Sequence, residues 1–87
     1  MERGRRIPNR LVKYRKLAGY SQKRVARLLH LKNTASISRW EKGYTTPSVL
    51  QLLNLCVLYK IYPHHIYFEV WDTLKKELLP TSDLSLE

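Results

Sequence analysis

Acidic residues, cysteine and long hydrophobic runs are all scarce in this sequence, which contains seven acids and one cysteine among 87 residues. A single cysteine excludes an internal disulfide framework. Because Cys56 lies in an apolar stretch between Leu52 and Val57, we interpret it as a buried reduced thiol. No apolar segment approaches the ~20 residues of a membrane span. The basic N-terminus has no apolar signal-peptide core after it, so we expect a cytoplasmic protein.

The same scarcity argues against an enzyme or a metal site. The few carboxylates are scattered, and neither a nucleophile with a paired base nor a glycine-rich phosphate loop is present. His30, His64 and His65 lack the spacing of metal ligands, and two adjacent histidines diverge on a helix. We therefore expect no catalytic residues, no metal and no cofactor in what the length indicates is one small domain.

Positive charge is concentrated in the first half of the chain. Residues 1–43 contain 13 of the 16 Lys and Arg residues and two acids, Glu2 and Glu41, for a net charge of +11. Residues 44–87 contain three lysines and five acids, for a net charge of −2. A basic half beside a nearly neutral half predicts one face that binds a polyanion, the alternative being a surface that is basic only for solubility.

The basic first half begins with a short arm. Residues 1–8 include Arg3, Arg5 and Arg6 together with a glycine and a proline, and we expect a flexible basic arm. Its arginines can bind phosphates or enter a minor groove. A disordered tail that contributes little is the alternative.

Candidate N-caps and glycines divide the rest of this half into helices. Asn9 can cap a first helix over 10–18, which Gly19 ends. Ser21 can cap a second helix whose apolar face lies within 25–29. The expected inward stripe of the first helix is Leu11, Tyr14, Leu17 and Ala18.

A third helix follows a polar turn. Asn33 or Thr34 can cap it, Ile37 and Trp40 face inward, and Gly43 ends it. The residues that then face outward are Thr34, Ala35, Ser36 and Arg39. Short side chains let such a helix lie close in a DNA major groove, where an arginine can bind guanine through two hydrogen bonds.

In the second half of the chain, the spacing of apolar residues predicts a fourth helix over 49–59, capped by Ser48. Its inward stripe at helical spacing consists of Leu52, Leu55, Cys56 and Tyr59. The opposite side is also apolar at Val49, Leu53 and Val57. This is more apolar surface than one small core requires, so part of it is a candidate for contact with a partner.

Pro63 can open a fifth helix, and two interpretations compete for the segment after it. Residues 66–71 are rich in β-branched and aromatic side chains, a composition typical of strands. A stripe with helical spacing crosses the same region at Tyr67, Trp71, Leu74 and Leu78. We favour a C-terminal helical extension over 68–79, followed by a disordered tail over 80–87.

With these elements placed, residues 9–67 resemble the phage repressor and Cro family of helix-turn-helix regulators. Most of the resemblance lies in the string ISRWEKG that ends at Gly43 and in Pro47-Ser48 after it. The other matching positions are Ser21-Gln22, Val25-Ala26, Ile61 and Ile66. The resemblance implies an all-α fold, a compact five-helix repressor-like DNA-binding domain, to which the helical extension is added.

The resemblance also implies roles for individual residues. The positions that read bases hold Thr34, Ala35 and Arg39, with Ser36 close by. The positions that touch the DNA backbone hold Gln22, Lys42, Tyr44 and Thr45, to which we add Lys23, Arg24 and Asn33 as candidate backbone contacts. Gln22 is also expected to brace the recognition helix. Arg15 and Glu41 occupy positions of a salt bridge between the first and third helices, the alternative for Glu41 being a solvated helix end.

The turn between the second and third helices departs in two ways from the common pattern of this family. It is one residue longer than usual, and His30 stands where the family usually has glycine. Glycine serves there because φ is positive, a conformation that histidine adopts less readily. The longer turn can remove the need for a positive φ.

These observations predict a sequence-specific double-stranded DNA-binding transcriptional regulator whose recognition helix, about 34–42, enters the major groove. Proteins of this type usually bind near-palindromic sites as homodimers. The outer side of the fourth helix and the 67–78 stripe are candidate dimer surfaces, with intramolecular packing as the alternative. The alternative function is an antitoxin-like protein-interaction module that neutralises a partner protein, a toxin.

Overall fold

Six helices and no strand make up the part of the chain that the computed structural model describes, residues 5–79. The helices are α1 Leu11–Leu17, α2 Gln22–Leu28, α3 Ala35–Lys42, α4 Val49–Tyr59, α5 Pro63–Ile66 and α6 Phe68–Leu78. The predicted all-α class, five helices with a helical extension, is therefore confirmed. Residues 1–4 of the expected arm and the expected tail, 80–87, lie outside the described residues.

Local hydrogen bonds explain where several helices begin. The hydroxyls of Ser21 and Ser48 each accept a bond from the backbone N–H three residues later, at 3.0 and 3.2 Å. At the start of α3, Asn33 Oδ1 accepts from the N–H of Ala35 at 2.9 Å, while Thr34 occupies the N-cap position without a side-chain bond. These short polar side chains satisfy N–H groups that have no partner within the helix.

The segment after Pro63 is helical rather than extended. Pro63 is the first residue of α5, where its missing N–H costs nothing. The Tyr62 N–H just before it donates to His65 Nδ1 at 3.0 Å. The 3- and 4-residue spacing of the apolar side chains in α6 thus prevails over the strand-like composition of 66–71.

One buried core joins the first five helices. Its members are Leu11, Val25, Ala26, Ile37, Trp40, Leu55, Cys56, Tyr59 and Ile66. Burial raises the pKa of the Cys56 thiol, in agreement with the interpretation of a buried, reduced cysteine. The inward stripe expected for α1 is wrong in its second half, because Leu17 is 72% exposed and Ala18 is also exposed. Leu11 is buried and Tyr14 is half-buried against the core, so α1 meets the core through its first half.

The end of α2 shows why the turn after it still requires a left-handed residue. The Leu31 N–H donates to the Ala26 carbonyl at 2.8 Å, and the His30 N–H donates to the Arg27 carbonyl at 3.1 Å. This pair of bonds is a Schellman motif, which closes only if the residue after the C-cap has positive φ. His30 has a φ of 60°. The longer turn therefore does not remove the need for positive φ.

We expect His30→Gly to stabilise the protein. Its φ of 60° and exposed side chain mean that the substitution relieves backbone strain without removing a core contact. The gain should be about 1 kcal/mol in the free energy of unfolding, since glycine adopts this conformation without steric cost. Urea unfolding measures it. Arg27→Gly, at an exposed position inside α2, is the control and should destabilise by about 1 kcal/mol. A loss of stability in His30→Gly would contradict this account of the turn.

Candidate nucleic-acid interface

The third helix has one buried side and one exposed side. Ile37 and Trp40 are buried in the core, which leaves Ala35, Arg39 and Lys42 exposed. Of the other predicted base-reading residues, Thr34 and Ser36 are half-buried. The structure therefore presents a shallow helical surface that carries an arginine and a lysine beside small side chains. A surface of this shape can approach the base edges of a major groove.

A buried ion pair holds α3 against the two helices before it. Arg15 Nε donates to Glu41 Oε2 at 2.6 Å, and Arg15 Nη2 donates to Glu41 Oε1 at 3.3 Å. Gln22 Nε2 donates to the same Oε1 at 2.8 Å. The side chains of Arg15 and Glu41 are only 11% and 5% exposed. One carboxylate near the end of α3 is thus bonded to both α1 and α2.

The arginine of this pair is further restrained by the backbone. Arg15 Nη1 donates to the Tyr20 carbonyl at 3.0 Å, at the link between α1 and α2. The hydrogen bonds from Arg15 to Glu41 raise the pKa of the guanidinium above its ordinary value. The bidentate geometry fixes the orientation of both partners as well as their distance. The expected pair is present in the structure, and Gln22 lies where it can brace the recognition helix.

Asn9 makes a second connection to α3, which the sequence analysis did not anticipate. Arg10 occupies the N-cap position expected for Asn9, but Asn9 Oδ1, one residue earlier, accepts from the Leu11 N–H at 3.0 Å. Asn9 Nδ2 also lies 3.2 and 3.3 Å from the carbonyls of Trp40 and Glu41. Carbonyls in the last turn of a helix have no partner within the helix. Asn9 therefore joins the start of α1 to the end of α3, and only the tertiary structure reveals it.

A cationic groove lies between α2 and the start of α3. It contains Lys23, Asn33 and Thr34, all predicted to contact DNA. Arg27 and Lys32 also line it, and the sequence analysis missed both of them. The signal was available for Arg27, which lies four residues after Lys23 and therefore on the same face of α2. Arg24, on the same helix, is exposed.

The remaining candidates are the last residue of α3 and two residues of the loop after it. Lys42, Tyr44 and Thr45 are exposed and follow one another closely in the chain. The hydroxyl of Tyr44 accepts a hydrogen bond from Arg6 Nη2 at 3.0 Å. The predicted contact residues are thus divided between this loop, the outer side of α3 and the groove beside α2.

Metal binding and membrane insertion are the other roles that the described residues could show. No group of three histidine, cysteine or acidic side chains in residues 5–79 could hold a metal ion. Over the same range, no helix combines the length and the hydropathy needed to cross a bilayer.

Comparison with known protein families agrees with the arrangement of α2 and α3. A helix-turn-helix family model matches residues 11–66, well over half of the chain. The chain belongs to the Cro and C1 type of helix-turn-helix family. That family consists of DNA-binding regulators and is not typically enzymatic. Neither the curated proteins nor the solved structures compared with this helix-turn-helix chain gave a significant match.

Proposed function

We propose that this helix-turn-helix protein is a sequence-specific regulator of transcription that binds double-stranded DNA with α3 in the major groove. The observation that carries the proposal is the exposed surface of α3, where Arg39 stands beside the short side chains of Ala35 and Ser36. Arg39 supplies the base contact, since a guanidinium can bind the two acceptors of guanine at once. Thr34, Ala35 and Ser36 make the remaining contacts with bases.

Charge and rigidity both favour this proposal. The backbone contacts proposed for Lys23, Arg24 and Asn33 lie on α2 and just before α3, and those proposed for Lys42, Tyr44 and Thr45 lie at and after its end. Phosphate contacts near both ends of a helix set its position in the groove. The ion pair of Arg15 with Glu41 keeps α3 rigid, so that little order has to be gained on binding.

The test is selection of bound duplexes from a random DNA pool at about physiological salt, where binding through phosphates alone is weakened. We expect a short motif with a guanine at a position that depends on Arg39. Recovery of no motif would contradict the proposal of sequence-specific binding, whereas the assignment of the fold would still stand.

We further propose that two copies of the chain associate through α6. This helix has 11 residues and none of them is buried, although Trp71, Leu74 and Leu78 are apolar. An isolated helix of this length is marginally stable in water. Shallow apolar grooves run along it, lined by Tyr67, Val70, Trp71, Leu74, Leu78 and Leu79. Contact with a second molecule would cover this stripe and stabilise the helix.

Charge favours a second copy of the chain as the occupant. The basic halves of two molecules repel each other, whereas residues 44–87 carry a net charge of only −2. Within α6, Glu69 and Asp72 give the first half a net charge of −2, whereas Lys75, Lys76 and Glu77 give the second half a net charge of +1. An antiparallel pair of α6 helices places each half against one of opposite charge. Such a two-fold dimer would match a near-palindromic DNA site.

Leu74→Glu should convert the dimer to a monomer, because it places a carboxylate in the centre of the apolar stripe. Analytical ultracentrifugation at several protein concentrations measures the effect. Thr73→Glu adds the same charge to an exposed position on the other side of α6 and should leave the dimer intact. An unmodified protein that stays monomeric when bound to its DNA would contradict self-association. The same surface would then be available for the alternative function, neutralisation of a partner protein.

A further inference from the structure

The chain before α1 does not leave the domain directly, but crosses the end of α3. The Ile7 N–H donates to the carbonyl of Gly43 at 2.8 Å. Asn9 Nδ2 lies 3.1 Å from the Ile7 carbonyl, so the side chain that holds the end of α3 also holds this segment. Residues 6–9 thus form a strap that is bonded at two points next to the recognition helix.

Gly43 is the residue on which the strap rests. A Cβ at Gly43 would overlap the backbone of Ile7, whose nitrogen would lie 2.9 Å from it. Real Cβ atoms essentially never come this close to another atom. Gly43 therefore serves two purposes: it adopts the positive φ that ends α3, and it leaves room for the strap. The position of the strap therefore depends on its contact with Gly43 at the end of α3.

The strap places Arg6 on the loop after α3. Arg6 Nη2 donates to the Tyr44 hydroxyl at 3.0 Å, and its guanidinium carbon lies 4.9 Å from the centre of the Tyr44 ring. A guanidinium has five N–H donors in a planar fork, and the bond to Tyr44 requires one of them. Arg6 is exposed and is bonded to Tyr44, one of the residues at and after the end of α3 that we propose contact the DNA backbone.

We infer that Arg6 is a further DNA contact of this protein, a phosphate-binding residue that Tyr44 positions at the end of the recognition helix. The inference rests on the proposed DNA-binding function. Stacking on the ring and the bond to the hydroxyl hold the guanidinium in one place, so less conformational freedom is lost when it binds an anion. The ligand is a phosphate of the duplex backbone, because a planar guanidinium fork matches the oxygens of a phosphate group.

The test compares Arg6→Ala with Lys16→Ala in the full chain. Both remove one exposed positive charge, but Lys16 lies in the last turn of α1 and belongs to neither the proposed DNA contacts nor the proposed dimer surface. We expect Arg6→Ala to weaken binding on the order of tenfold at low salt, through loss of one charge-assisted hydrogen bond. It should also reduce the slope of log Kobs against log salt by about 0.9, the value for one phosphate. Lys16→Ala should leave the slope unchanged, and both variants should keep the Tm of the unmodified protein.

Two duplexes separate this inference from the proposed function. Because phosphates are the same in every sequence, Arg6→Ala should weaken binding to a selected site and to an unrelated duplex by the same factor. If no selected site exists, the proposal of a sequence-specific regulator fails, and the Arg6 test can still be made on the unrelated duplex. If Arg6→Ala and Lys16→Ala had the same affinity and the same salt slope, the inference would be overturned.

The positioning by Tyr44 has its own test. Tyr44→Phe keeps the ring and removes the hydroxyl that accepts from Arg6. We expect the double variant with Arg6→Ala to lose less affinity than the sum of the two single losses, because each change removes part of the same contact. Full additivity would show that Arg6 acts independently of Tyr44.

Discussion

Glu41→Ala should destabilise the protein by about 3 kcal/mol, since it leaves a charged arginine without its partner in a nearly buried site. Glu41 is bonded to Arg15 and to Gln22, and both side chains of the ion pair are almost inaccessible to water. In a domain of this size the loss corresponds to a fall in Tm of about 15 °C. Thermal unfolding followed by circular dichroism measures it.

The exposed ion pair of Arg10 and Glu69 provides a matched control. Its atoms are 2.8 Å apart, but the two side chains are 35% and 46% exposed. Solvent screens such a pair, so Glu69→Ala should change Tm only slightly. Removing both buried partners, in Arg15→Met with Glu41→Leu, should cost less than Glu41→Ala alone, because no unpaired charge then remains. A Tm of Glu41→Ala equal to that of the unmodified protein would contradict this role of the ion pair.

The Glu41 prediction also separates stability from recognition. Below the Tm of the variant, the folded fraction should still bind DNA with an affinity close to that of the unmodified protein. The reason is that Glu41 lies on the buried side of the helix end, away from the surface proposed to read bases. Titration of a labelled duplex well below the melting temperature tests this expectation.

Arg39→Ala is expected to relax sequence preference at one base pair and to leave stability nearly unchanged. An arginine that binds guanine through two hydrogen bonds contributes about 1–3 kcal/mol of discrimination against other bases, which is roughly 5- to 150-fold. Because Arg39 is exposed, its truncation creates no cavity and no unpaired buried group. Binding to duplexes that carry each base pair at that position measures the preference.

Lys42→Ala distinguishes a base contact from a phosphate contact on the same helix. A phosphate contact weakens binding to all sequences alike and reduces the salt slope by about 0.9. We expect this behaviour from Lys42→Ala and not from Arg39→Ala. If Arg39→Ala weakened binding to every duplex equally, Arg39 would be a phosphate contact and the assignment of base readout would be wrong.

The Arg15–Glu41 ion pair and the strap meet at the same end of α3. Glu41 is held from α1 and α2, and Gly43 two residues later supports the strap at Ile7. Asn9 is bonded to both regions. The end of the recognition helix is thus the most heavily restrained part of the proposed interface. The residues proposed to read bases lie outside these contacts, at the start of α3 and at Arg39.

The features that depend on neighbours along the chain follow from the order of the amino acids alone. Ser21 and Ser48 cap helices because their hydroxyls reach an N–H only three residues away. The spacing of Ile37 and Trp40 decided which side of α3 is buried, since a helix repeats every 3.6 residues. The string ending at Gly43 was specific enough to identify the family, which the family comparison then confirmed.

The features that depend on residues far apart in the chain follow from packing in three dimensions. A periodic pattern does not show where a helix leaves the core, so it predicts Leu17 inside, whereas Leu17 is exposed. His30 keeps a positive φ because the bonds that close α2 require it, whatever the length of the turn. The bond of Arg6 to Tyr44 joins residues 38 positions apart. It exists because Gly43 lacks a side chain and admits the backbone of Ile7, a steric fact that no local pattern contains.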